Sequence, residues 1–295
     1  MFNLFSKKKK QQELQKDTKE FDAGTLKSVI VSDLGNIRTN NEDIGLFFRI
    51  GDEVISREKG CLMMVADGMG GHNAGEVASR MAADIISHEY FKLNGSIEKS
   101  LAKAFELANK NIFEMSMSNK SVKGMGTTCT TLIIADKIIY YAQVGDSRAY
   151  LLKDNKISRI TEDQTYVQEL VKNGEITMAE AAVHPKRNIL TNAMGTKDSL
   201  RVDTGKFALP FEEKDRLMIC SDGLYEYLND NEIARILGGN SLHHAANEMV
   251  EEAKKRGGHD NITVVLAEKI SVTNGTTEKQ TKDFDIPQTQ EYDLP

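Results

Sequence analysis

Thr127-Thr128-Cys129-Thr130-Thr131-Leu132-Ile133-Ile134-Ala135 is followed by Asp136-Lys137 and then by Ile138-Ile139-Tyr140-Tyr141-Ala142-Gln143-Val144. Two runs rich in β-branched and aromatic residues thus meet at a short polar turn, which predicts a β-hairpin. Gly145-Asp146-Ser147 separates it from a third run, Arg148 to Leu152, which ends at the turn signal Asp154-Asn155. The three runs together predict an antiparallel meander in the middle of the chain.

The flanks read differently. Residues 75–91 place Val77, Ala78, Met81, Ala82 and Ile85 on one face, and residues 96–117 repeat the rhythm with Ile97, Leu101, Ala104, Phe105, Ala108 and Ile112. Residues 241–255 do so again with Leu242, Ala245, Ala246, Met249, Val250 and Ala253. Apolar residues at this spacing predict amphipathic helices. Strands in the middle with helices before and after predict an α+β fold of stacked sheets covered by helices.

The chain has 295 residues, of which 40% are hydrophobic, enough for one large core. We expect one domain at 25–270, between a polar, basic N-terminal extension, 1–24, that carries Lys7-Lys8-Lys9-Lys10, and a Thr-rich tail, 271–295, expected to be disordered. A net charge of -6 excludes a general nucleic-acid binder. An acidic protein that acts on phosphate must neutralise its substrate locally, and bound divalent cations do so.

The three cysteines, Cys61, Cys129 and Cys220, are widely spaced within apolar runs, as expected of buried free thiols in a reducing compartment. None begins a Cys-x5-Arg loop, which closes thiolate phosphatase chemistry. No apolar run is long enough to span a bilayer, so a cytoplasmic location without a transmembrane segment is expected. Neither a P-loop string nor His-Glu-x-x-His occurs.

What does stand out is a set of acidic residues at the ends of apolar runs. Asp67-Gly68 follows Met63 to Ala66, Gly145-Asp146 follows Ile138 to Val144, and Ser221-Asp222-Gly223 follows Leu217 to Cys220. Glu42-Asp43 precedes Ile44 to Ile50, and Asp260-Asn261 precedes Ile262 to Leu266. A strand delivers its terminal side chain to an edge, and a following glycine lets the backbone approach a ligand. Taken singly, each Asp-Gly reads as a turn. Converging carboxylates repel one another unless cations hold them, so the set predicts a hard-metal site of oxygen ligands suited to Mg²⁺ or Mn²⁺.

In their order and spacing these strings resemble the metal-dependent protein phosphatase family of the 2C type, bacterial members in particular. The matching strings, between about Val29 and Ala267, are Ser32-Asp33-Leu34-Gly35, Arg38-Thr39-Asn40-Asn41-Glu42-Asp43, Asp67-Gly68-Met69-Gly70-Gly71-His72 and Gly124-Met125-Gly126-Thr127-Thr128. They continue with Val144-Gly145-Asp146-Ser147-Arg148, Leu190-Thr191-Asn192-Ala193-Met194-Gly195, Ser221-Asp222-Gly223-Leu224 and Gly258-His259-Asp260-Asn261-Ile262-Thr263.

The resemblance implies two antiparallel β-sheets packed face to face with helices outside. It also implies hydrolysis of phosphoserine and phosphothreonine on proteins by a hydroxide bridging two divalent ions, which in such sites lie about 3.5–4 Å apart. Asp67 is then the bridging ligand, Asp222 and Asp260 complete the first ion's ligands, and the Gly68 carbonyl binds the second. Glu42 and Asp43 hold metal-bound waters, and Arg38 grips the phosphate as a planar fork. A third ion is implied at Asp146 and Asp222. Residue by residue, Arg38 also reads as half of a surface ion pair, and Asp146 as a hydrogen-bonded turn residue beside Ser147 and Arg148.

Residues 163–187, with a short helix at Tyr166 to Lys172, look like the flap that bacterial members place beside the site. The implied partners are phosphorylated proteins, Ser/Thr kinases and their substrates, met by a monomer. Two positions depart from the family pattern. Met69 stands where animal members carry a histidine proposed as general acid, and Gln164 stands where bacterial members commonly carry histidine. His72 is the nearby alternative to the missing acid, although a histidine in a glycine-rich loop often only hydrogen-bonds the backbone. The competing reading is a pseudophosphatase that binds phosphoproteins without turnover, whose expected mark is a lost carboxylate ligand; a further rival keeps the metals but takes small phosphate esters.

Overall fold

The computed structural model of the chain describes residues 16–22, 25–70 and 74–271. His72, the Lys7–Lys10 cluster and the tail beyond Ser271 lie outside the described residues. Two antiparallel sheets form the centre. One runs in the order β1 (Lys16–Asp22), β2 (Leu26–Asp33), β12 (Ile262–Lys269), β11 (Arg216–Cys220), β8 (Arg148–Lys153) and β9 (Lys156–Arg159). The other runs β10 (Asp203–Lys206), β7 (Ile138–Val144), β6 (Cys129–Ala135), β4 (Cys61–Met69) and β3 (Asp43–Phe48), with β5 (Gly126–Thr127) paired to the end of β4.

The expected hairpin of the first two runs is present, but the expected three-stranded meander is not: after residues 145–147 the chain crosses to the other sheet, where β8 pairs with β11 and β9. Ala135 pairs with Ile138 around Asp136, which turns the chain with φ 55°, and Lys153 pairs with Lys156 around Asp154 and Asn155, both at positive φ. The first run is split, however: Thr127 belongs to β5 opposite Gly68, and β6 proper begins at Cys129.

Alternation along each strand explains the near-continuous apolar runs. In β4, Met63 and Val65 join the layer between the sheets while Leu62 and Met64 face helices. In β11, Leu217 and Ile219 face inward and Met218 and Cys220 face the other helical layer, as Val265 and Val264 do in β12. A strand covered on both faces has no polar side to display. Each such side chain contributes roughly 1.5–3 kcal/mol relative to exposure.

Helices α2 (Ala74–Lys92) and α3 (Ile97–Ser118) cover the second sheet, and α7 (Asp230–Gly239) and α8 (Leu242–Lys255) cover the first. The shorter α1 (Glu53–Lys59), α4 (Tyr166–Lys172), α5 (Met178–Ala182) and α6 (Asp222–Tyr225) lie in the connections. Ser96 and Ser241 cap α3 and α8 through their hydroxyls, accepting the N–H of Lys99 and His244. The result is the expected four-layer arrangement of helices, two sheets and helices.

One finding departs from the boundaries drawn on the sequence. Lys16–Asp22, placed within the N-terminal extension, is a strand that pairs along its whole length with β2. It is an edge strand whose exposed charges include Asp17, Lys19 and Glu20. Charge on an edge guards against further strand addition and hides the strand's period from a sequence reading.

Candidate metal centre and phosphate site

Strand register brings the acidic strings to one edge. Asp43 opens β3 directly opposite Asp67 of β4. Asp33 closes β2 opposite Ile262 at the start of β12, so the loop carrying Arg38 and Glu42 leaves the same edge at which the loop carrying Asp260 arrives. Asp222 begins α6 immediately after β11, and Asp146 lies in the turn from β7 to β8.

Asparagine and hydroxyl side chains fix these loops to one another. Asn261 Oδ1 accepts the N–H of Glu42 at 2.8 Å, and its Nδ2 donates to the carbonyls of Leu34 and Asn40 at 3.1 and 3.0 Å. Ser221 Oγ donates to Asp43 Oδ2 at 2.8 Å and accepts the N–H of Thr263 at 3.0 Å. Thr263 Oγ1 is 2.7 Å from Ser32 Oγ, which also accepts from Asn41 Nδ2 at 2.9 Å. The strings quoted from the sequence contain Ser32, Asn41, Ser221, Asn261 and Thr263, but no role was read for them. A fully buried threonine inside the apolar run of β12 was the available signal.

Gly68 is required where it stands. A β-carbon there would lie 2.2 Å from the Gly75 carbonyl oxygen and 2.6 Å from that of Glu42, which accepts the Gly68 N–H at 3.1 Å. Gly75 in turn leaves room for the Glu42 carboxylate, since a β-carbon there would be 2.4 Å from Oε2.

The carboxylates act on one another. Burial lifts Asp67 well above the usual carboxylate range, and the charges of Asp43, Asp222, Asp146 and Asp260 lift it further. Asp222 is lifted likewise by burial and then by Asp146, Asp260, Asp43 and Glu226. Burial pushes Asp43 up to about 6 against hydrogen bonds from Ser221, Thr263 and Asp67. Asp146 is also pushed up to about 6, by burial and then by Asp163, while a hydrogen bond from Tyr225 opposes the shift. Burial raises Glu42, with Arg38 acting in the opposite direction.

These features fit a divalent cation. Asp222 Oδ1 is shut off from solvent without a hydrogen-bond partner, and an orphaned buried oxygen calls for a missing partner. Its neighbours are carboxylates, a purely oxygen donor set of the kind that suits Mg²⁺ or Mn²⁺. Among the described residues no three His, Cys, Asp or Glu side chains close into a cage of protein ligands. An open set of a few carboxylates matches a hard cation that keeps several waters.

Arg38 is half exposed and donates from Nη2 to Asp260 Oδ2 at 2.6 Å. The structure thus joins two residues that the resemblance assigned to phosphate and to metal. Arg148 is tied to Asp163 through both carboxylate oxygens and lies 3.6 Å over the ring centre of Tyr225. Asp163 also pairs with Arg159. Next to Tyr225, Glu226 Oε1 accepts from Arg187 Nη2 at 3.0 Å and from Asn188 Nδ2 at 3.3 Å. Tyr225 and Glu226 were absent from the sequence reading because nothing in their spacing distinguishes them.

Comparison with known proteins shows the family. Residues 49–267 match the family described as protein phosphatase 2C. The serine/threonine phosphatase stp of Listeria welshimeri is 39% identical over 250 residues, covering 83% of this chain and 96% of that protein. The protein phosphatase PhpP of Streptococcus pneumoniae is 34% identical over 242 residues, 80% of this chain and 95% of that protein. The solved serine/threonine phosphatase of S. agalactiae superposes with a TM-score of 0.75 at 34% identity, over 83% of this chain and 100% of the other. The catalytic domain of the phosphatase PstP, solved in complex with 2 manganese ions, gives a TM-score of 0.70 at 32% identity over 83% of this chain and 99% of the other.

Proposed function

The chain belongs to the protein phosphatase 2C family, and from that premise we propose how its own residues carry out the family's reaction. It is a metal-dependent protein-serine/threonine phosphatase that works with two divalent cations. The observation that carries the assignment of residues is the orphaned Asp222 Oδ1 within a group of carboxylates that raise one another.

Asp67, Asp222 and Asp260, with the Gly68 carbonyl, hold the two cations, and Glu42 and Asp43 orient waters around them. When bound, the cations supply positive charge to the phosphoryl oxygens and make a coordinated water acidic enough to act as nucleophile near neutral pH. Arg38 binds the phosphate, its fork presenting two N–H groups to two phosphoryl oxygens. Ser221 holds Asp43 and so fixes the entry to α6, which keeps Asp222 aimed at the cluster. Asp146, beside Asp222, serves a third and weaker cation. Met69 stands directly after Asp67-Gly68, so no side chain at that position can protonate the leaving alkoxide. Every carboxylate position of the family pattern is filled, which favours catalysis over binding alone.

We further propose that the enzyme opposes Ser/Thr protein kinases in cytoplasmic signalling. The three cysteines are buried free thiols, as suits a reducing compartment, and no described helix is long and apolar enough to cross a membrane. The decisive test is phosphate release from a phosphothreonine peptide with Mn²⁺ and with EDTA, for the wild type and Asp67→Ala. Mn²⁺-dependent turnover that vanishes in the variant is the expected result; near-normal turnover by Asp67→Ala would sink the ligand assignment.

A further inference from the structure

Gln164 is a buried amide with both ends in use. Its Oε1 accepts the N–H of Gly145 at 2.8 Å and Nδ2 of Asn192 at 2.6 Å, and its Nε2 donates to Asp203 Oδ2 at 2.6 Å and to the Gln143 carbonyl at 3.4 Å. Its backbone N–H donates to the Gly145 carbonyl at 3.0 Å. One residue therefore grips Gly145 by both its N–H and its C=O. Gly145 has φ +96°, and a β-carbon there would lie 2.6 Å from the Thr128 side chain, so the turn packs closely on Thr128 and admits only glycine. The next residue is Asp146, whose side chain is buried in the turn from β7 to β8.

We propose that Gln164 is a positioning residue for Asp146. By clamping Gly145 it sets the direction of the Asp146 carboxylate relative to Asp222, and with it the affinity of the cation those two share. This rests on the reading of Asp146 and Asp222 as a cation subsite. Only a neutral amide supplies the pattern found here, two N–H groups accepted at one end and two oxygens served at the other. Glutamate would lose both donations and place a charge beside Asp203. An aliphatic side chain would leave the Gly145 N–H and Asn192 Nδ2 without their acceptor. The tie between the two roots of the flap is separate, because the Gln164 carbonyl that accepts from the N–H and hydroxyl of Thr191 survives truncation of the side chain.

The test is calorimetric titration of Mn²⁺ into the full-length wild type, Asp146→Asn, Gln164→Ala and Asp203→Ala, with a thermal melt of each. The wild type should show a weak binding event that Asp146→Asn removes. Gln164→Ala should weaken that event about tenfold, as loss of a residue orienting a metal ligand does, and leave the tighter events unchanged. Asp203→Ala, which removes the outer anchor of the amide together with an exposed 3.6 Å contact to Arg201, should weaken the same event to a smaller degree. If no event depends on Asp146, the subsite reading fails and the proposal falls with it. If the event depends on Asp146 but keeps its affinity in Gln164→Ala, the subsite stands and the positioning role is overturned. Should Gln164→Ala not fold, Asp203→Ala decides, an unchanged affinity there counting against the proposal.

Discussion

Arg38 Nη2 lies 2.6 Å from Asp260 Oδ2 although 222 positions separate the two residues. The proposed phosphate clamp and a proposed cation ligand therefore neutralise each other across the mouth of the site. Both side chains are partly exposed, 52% and 33%, and an ion pair of that kind is worth about 1 kcal/mol or less. A cation at Asp260 can displace the guanidinium at small cost and leave it free to meet phosphate.

Replacing Arg38 by alanine should then act in two directions at once. KM for a phosphothreonine peptide should rise by more than kcat falls, since the lost interaction is mainly one of binding. Affinity for Mn²⁺ should stay level or tighten by up to about fivefold, because Asp260 loses a competitor worth about 1 kcal/mol or less. Steady-state kinetics and calorimetry check both, and an unchanged KM would count against the clamp.

The carboxylate cluster sets a pH dependence in EDTA. Asp43 and Asp146 are pushed up to about 6 in the folded chain, whereas an unfolded aspartate titrates near ~3.9. Between those values the folded state holds the extra protons, so stability is highest at the acid end of the window and falls as pH rises through about 6. Chemical denaturation in EDTA should show stability declining between about pH 4 and 6. Saturating Mn²⁺ should flatten or reverse that slope, because the ionised cluster is what binds the cation. A slope of the opposite sign in EDTA would count against the raised proton affinity of buried Asp43 and Asp146.

Gly68→Ala should damage the site through shape alone. Its β-carbon has no room beside the carbonyl oxygens of Gly75 and Glu42, and forcing an atom into such a space costs about 1–3 kcal/mol. The strand must shift away from Glu42 and α2, carrying the Gly68 carbonyl with it. A lower melting temperature in EDTA, together with a further loss of Mn²⁺-induced stabilisation, is the expected signature. A normal Mn²⁺ response would free the Gly68 carbonyl from its proposed role.

The parts of the fold legible in the sequence are those where packing writes a period. Strands β4, β6, β7, β11 and β12 are covered on both faces and read as apolar runs, and α2, α3 and α8 show the helical rhythm of their buried stripes. Strand β1 was hidden because an edge strand carrying Asp17, Lys19 and Glu20 has no apolar period to show. Within the site, the carboxylates were legible because they sit beside glycine or where apolar runs begin or end. Their supports were not. Gln164, Tyr225 and Asn261 act through partners far along the chain, and a polar residue in a loop gives no sign of which distant backbone it will meet.

The last support is Lys254, at the end of α8, whose Nζ donates to Asp33 Oδ2 at 2.9 Å. Asp33 is fully buried and its Oδ1 accepts the N–H of Gly35 at 2.8 Å. A β-carbon on Gly35 would lie 2.1 Å from the Asp260 carbonyl oxygen, and Asn36 binds the Lys254 and Gly257 carbonyls through Nδ2. The pair thus anchors the loop that leads to Arg38 against the loop that carries Asp260. Lys254→Met leaves a buried carboxylate without its cation, which should cost about 3–5 kcal/mol in chemical denaturation. Lys254→Met with Asp33→Asn removes that charge, and most of the loss should be recovered, because the side-chain amide oxygen that replaces the carboxylate can still accept from Gly35. Lys254→Arg should lie close to the wild type. If the double variant proves no more stable than Lys254→Met alone, the destabilisation came from lost packing of the lysine stem and the ion pair is not what holds the two loops together.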